Sequence, residues 1–83
     1  MNAQVSVFPE IGTAAHARVV DGDKAVAGLA WIGAAERAAR KAVPGMRGIT
    51  LPVRSGESEY LWTAVAADRK GIPITTLTIV VRS

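Results

Sequence analysis

The chain has no cysteine, a single histidine and four aromatic residues among its 83. Without cysteine there is no disulfide, no thiolate metal site and no thiol nucleophile. With one histidine, any Ser–His system would have to be built around His16, which sits beside Arg18 and far in sequence from Ser6, Ser55, Ser58 and Ser83. A solvated or packing histidine is the expectation there. Carboxylates are equally uninformative. Asp21-Gly22-Asp23 has the spacing of turn chemistry, and Glu57 and Glu59 share a strand start without a cleft to serve them. Pro44-Gly45-Met46-Arg47-Gly48 follows a helix rather than opening one, which excludes a phosphate loop. Neither catalysis, nor a cofactor, nor a metal site is expected.

Long apolar runs are missing too. No stretch approaches the ~18 residues a membrane helix needs, and the first ten residues lack the basic start and apolar stretch of a signal peptide. A cytoplasmic protein that avoids membranes is the expectation. Charge of one sign is in modest excess: 10 Lys/Arg against 7 Asp/Glu give +3, with a pI near 10.0. That permits nucleic acid or an acidic protein surface as partner and requires neither.

What is present is apolar but small. Hydrophobic residues make up 49% of the chain, and 15 of them are Ala and 10 Val. Mean hydropathy is +0.24, in the globular range. At 8.7 kDa the length accommodates one domain, residues 1–83, whose core is wide in count and thin in volume.

The clearest periodicity covers residues 31–43. Trp31, Ile32, Ala35, Ala38, Ala39, Ala42 and Val43 share one face of a helical wheel, and Glu36, Arg37, Arg40 and Lys41 share the other. Glu36 and Arg40 have the favourable i,i+4 spacing, and Pro44-Gly45 stops the helix. For the preceding residues two readings stay open. In one, His16–Val20 and Ala25–Ala30 form a hairpin across Asp21-Gly22-Asp23-Lys24. In the other, a single helix runs from Asp23 to Val43, although the wheel breaks and Gly28 disfavours it. Beyond Gly48 the period changes to two. Ile49, Leu51 and Val53 alternate with polar residues, and Pro52 makes this strand an edge or a bulge. Glu59–Ala67 and the β-branched stretch Ile74–Arg82 complete a three-stranded meander, and Gln4–Phe8 suggests one more strand.

The fold class these elements predict is α+β: one short helix on one face of a small antiparallel sheet. Ile49, Leu51, Val53, Leu77, Ile79 and Val81 are expected to face the helix, and a single helix leaves the other sheet face open. Two groups of side chains then invite a partner. Arg37, Arg40, Lys41 and Arg47, with Arg54 further on, face only Glu36 between residues 36 and 54. They form either a solvated helix face or a contact surface for phosphates or an acidic protein. Tyr60 and Trp62 alternate with Leu61, Thr63 and Val65. They are either displayed on the open face, to stack bases or anchor an interface, or Trp62 fills the thin core.

Ala34-Ala35-Glu36-Arg37-Ala38-Ala39, the stop at Gly45, the turn Arg54-Ser55-Gly56-Glu57-Ser58 and two closing strands span residues 31–81. In this the chain resembles small phage-encoded proteins that block host machinery, of the type I anti-CRISPR kind. The resemblance implies a non-enzymatic inhibitor occupying a site on a CRISPR surveillance complex, a host ribonucleoprotein, or on its nuclease. Many such inhibitors are acidic and mimic DNA. This basic chain would instead cover an acidic or mixed surface, and no residue inherits a family role. The alternatives from the residues alone are a small nucleic-acid-binding protein using the open sheet face, and an antitoxin-like homodimer joined through the apolar last strand.

Overall fold

The computed structural model describes residues 3–23, 25 and 28–82. Six strands and one helix follow in the order β1 (Gln4–Pro9), β2 (Ala15–Arg18), α1 (Ile32–Ala42), β3 (Gly48–Ile49), β4 (Val53–Arg54), β5 (Leu61–Ala67) and β6 (Pro73–Arg82). All pairings are antiparallel, and the sheet order is β2-β1-β6-β5-β3, with β4 also on β5. The α+β architecture, the helix boundaries, the N-terminal strand and the closing meander are as the patterning predicts.

The helix packs through Ile32, Ala34, Ala35, Ala38, Ala39 and Ala42, all buried, chiefly against β1 and β2. Alanine both favours the helix and brings its axis close to Val5 and Val7 of β1, which are fully buried with Leu77 and Ile79 of β6. Trp31 stands at the N-cap position with no side-chain cap bond. Its buried indole anchors the helix start instead, lying 5.1 Å from the ring of Trp62 at 59°.

The hairpin across Asp21-Gly22 does not form as expected. Lys24, Val26 and Ala27 lie outside the described residues. Of the rest, Ala25, Gly28 and Ala30 are irregular or turn and Leu29 is an isolated bridge residue. β2 pairs with β1 instead, Val5 opposite Ala17 and Ser6 opposite His16. The single long helix is overturned as well, since α1 begins at Ile32 and Gly28 sits at φ +79°. Asp23 explains the path taken. Its carboxylate accepts bonds from the Val20 amide at 2.9 Å and from both terminal nitrogens of Arg37, at 2.9 and 3.1 Å. The turn is therefore tied across to the helix rather than continued into a returning strand.

The first strand of the meander is split. β3 pairs Ile49 with Ala66, and β4 pairs Val53 with Thr63, so three residues (50–52) oppose two (64–65). This extra residue flips the phase beyond it. Ile49 packs on the core as expected, whereas Leu51 and Val53 are exposed and do not face the helix. At the break Thr50 donates its amide to the Val65 carbonyl and accepts the Val65 amide on Oγ1, both at 2.9 Å.

Candidate functional site

The predicted partner-binding residues fall on two opposite layers. α1 and its polar side chains cover one face of the sheet, and the face expected to display aromatics is the other. Arg37, Arg40, Lys41 and Arg47 therefore cannot form one surface with the open face.

Several of these residues have structural duties. Arg37 holds Asp23 and also donates to the Arg18 carbonyl at 2.9 Å. That ion pair, with the Val20 amide bond, keeps the Asp23 carboxyl down at about 2, below its ordinary 3.8, and raises Arg37 in turn. Arg40 lies 3.7 Å from Glu36, the predicted i,i+4 pair. Arg54 stacks over the Trp62 ring, 5.4 Å from its centroid.

Trp62 is not on the open face. β5 buries Ala64 and Ala66 and half-buries Trp62, while Leu61 points the other way. The phase follows from volume. An alanine helix leaves space beside it, and an indole fills that space better than Leu61 at the strand end would. Burying an aromatic ring also removes more apolar area from water. Trp62 thus closes the β5 side of the core between Trp31 and Arg54. Tyr60 precedes the strand, is 60% exposed and lines one depression with Ser58, Leu61, Val80 and Arg82.

The open face can be read row by row from the register. Arg18, Gln4 and Arg82 lie side by side, then His16, Ser6, Val80 and Leu61, then Phe8, Thr78, Thr63 and Val53. No strand contributes a carboxylate to it. Among the described residues Arg18 and Arg82 have no ion-pair partner. Two adjoining depressions cross the strands here and share Val80 and Arg82. The first holds Tyr60, and the second is lined by Gln4, Ser6, Phe8 and His16.

The fold also joins what the sequence separated, since His16 Nδ1 lies 2.8 Å from Ser6 Oγ. The pair is exposed to solvent, and the charged residues of the neighbouring row are arginines rather than the carboxylate that would orient an imidazole as base. Among the described residues no cluster of three or more metal-ligating side chains occurs, and no helix is long and apolar enough to cross a membrane. The last strand is central, between β1 and β5, so dimerisation through its edge is overturned.

Sequence reasoning missed Arg69 and Lys70, which serve there only as a turn. Hydrogen bonds from the Lys70 and Ile72 amides to the Asp68 carboxylate fix this turn. It adjoins Gly45, just beyond the helix. Set against protein-family models, curated proteins and solved structures, the chain matches none.

Proposed function

We propose that this chain is a non-catalytic protein-binding domain that acts by occlusion and presents the open sheet face to its partner. One observation carries this reading: the antiparallel face displays Phe8, Leu61, Val53 and neighbouring Tyr60 to solvent, with Arg18 and Arg82 at one end, no carboxylate on its strands, and Glu10 bordering Phe8 and Thr78 at the other end. Exposed aromatic and aliphatic side chains grouped on one face mark interaction surfaces, and aromatic and arginine side chains dominate interface energetics. The complementary partner is a protein surface with an apolar centre and acidic margin. In the form implied by the family resemblance, that partner is a CRISPR surveillance complex or its nuclease. Base stacking on the open face is less well supported, because Trp62 belongs to the other side of the sheet.

The test uses tagged chain for affinity capture, in parallel with the doubly substituted Phe8→Glu/Leu61→Glu and Arg40→Glu/Lys41→Glu proteins, each checked for folding by circular dichroism. The open-face variant is expected to lose a protein that the native chain and the helix variant both retain. Retention by the folded open-face variant refutes the assignment. Addition of the native chain to a type I complex and its DNA target tests the specific form, with unchanged cleavage the refuting result.

A further inference from the structure

The net charge of the chain is not spread over the fold. Four loop or terminal segments meet at one end of the molecule. The β1–β2 connection packs on the helix C-terminus, so that a Cβ built on Gly12 would lie 3.0 Å from the Ala42 carbonyl. The Glu10 amide donates to the Thr76 carbonyl, and the Arg47 amide donates to the Ala67 carbonyl. Gly45 borders the turn of Asp68, Arg69 and Lys70. With Arg40 paired to Glu36, this end carries four further cations, Lys41, Arg47, Arg69 and Lys70, against two carboxylates, Glu10 and Asp68. Its excess of two is most of the chain's +3.

Arg40 has its partner in Glu36. Lys41, exposed in the last helical turn, suits the negative end of the helix dipole and has no ion-pair partner among the described residues. Arg47, Arg69 and Lys70 are exposed and likewise without an ion-pair partner among the described residues. None is buried or held in place by a side-chain hydrogen bond among the described residues.

We infer that this end is a second, electrostatic surface that binds the phosphate backbone of nucleic acid, using Lys41, Arg47, Arg69 and Lys70. The choice of partner rests on how unorganised surface charge gains free energy. Against single carboxylates, exposed cations on flexible stems contribute little, about 0–1 kcal/mol each. Against a polyelectrolyte the same cations release condensed counterions, and no preorganised geometry is needed. An acidic protein would instead make use of the isoleucines at this end, Ile11 and Ile72, exposed by 78% and 55%.

The test is fluorescence anisotropy with a labelled 20-base-pair duplex over a series of salt concentrations. Four neutralised phosphates give a log–log slope of about −3.6, or roughly a 150-fold loss of affinity from 50 to 200 mM salt. Arg69→Gln/Lys70→Gln is expected to bring the slope to about −1.8 and the loss to roughly 12-fold. Arg18→Gln/Arg82→Gln, on the open face, is expected to leave the slope unchanged. Absence of binding at low salt overturns the inference, as does a slope indifferent to Arg69→Gln/Lys70→Gln or flattened equally by Arg18→Gln/Arg82→Gln. Loss of duplex binding in Ile11→Ser/Ile72→Ser, or binding to polyglutamate with none to the duplex, also overturns it. The outcome is independent of the open-face proposal, which is read from protein capture by the Phe8 and Leu61 variant.

Discussion

Replacing Trp62 by alanine separates the two possible phases of β5. In the structure the indole packs between Trp31, 5.1 Å away, and Arg54, 5.4 Å from its centroid. An aromatic ring of this size buries about 200 Å² when fully enclosed, which at ~25 cal/mol/Å² is about 5 kcal/mol. The ring is only partly buried, so about two-thirds of that, ~3 kcal/mol, is the expected loss, within the range for Trp→Ala. For a domain whose whole stability is on the order of 4–12 kcal/mol, this is a large fraction. Leu61→Ala on the opposite face, scaled the same way for a smaller side chain that is 36% exposed, should cost about 1–2 kcal/mol. Urea unfolding followed by circular dichroism measures both, and Trp62→Phe, which keeps a ring under Arg54, provides a folded intermediate if Trp62→Ala is too unstable. A larger cost for Leu61→Ala than for Trp62→Ala would refute the phase of β5, and with it the identity of the open face.

Three further outcomes follow from the geometry. The Asp23 carboxyl titrates at about 2 rather than 3.8 because Arg37 and the Val20 amide favour its ionised form. The stability it adds is therefore complete above the unfolded value and lost as pH falls through about 2. The gap in melting temperature between the native chain and Asp23→Asn should be constant above about pH 5 and close toward pH 2; a gap that persists at pH 2 would count against the Arg37–Asp23 tie. Gly12→Ala should destabilise by about 1–3 kcal/mol in thermal melts, because Gly12 sits at φ +129° and a Cβ there would meet the Ala42 carbonyl and Pro9; an unchanged melt would contradict the packing of the β1–β2 loop. Thr50→Val should cost up to about 1 kcal/mol by exchanging the exposed hydrogen bond to the Val65 amide for one to water, and faster hydrogen exchange at that amide should accompany it.

The helix was legible because one period runs through it without interruption, with alanines on one face, charges on the other and Pro44-Gly45 at its end. β6 was legible from its β-branched run. The phase of β5 was not, since both of its alternations, Leu61-Thr63-Val65 and Trp62-Ala64-Ala66, are apolar enough for a core. Only the space left beside an alanine helix decides between them. The slip at Thr50–Pro52 was half legible, because Pro52 announced an irregularity but not its size. Asp21-Gly22 carries a hairpin signal that is locally valid. It was overridden by a long-range tie from Asp23 to Arg37, which no local pattern contains. At the candidate sites, the basic residues of the helix were visible in sequence. Their separation from the open face, and their junction with Arg69 and Lys70, exist only once the chain is folded.

Both sides of the sheet are blunted, by different means. At the β2 side the strand has four residues, and the outward Arg18 carbonyl is already taken by Arg37. At the other side two-residue strands flank a kink at Leu51-Pro52, where proline has no amide to offer. Lateral growth, whether into a fibril, a strand-swapped dimer or a sheet continued by a target's own strand, is therefore disfavoured from both directions. A partner is left to approach broadside, and its recognition must come from side chains rather than from shared main-chain ladders.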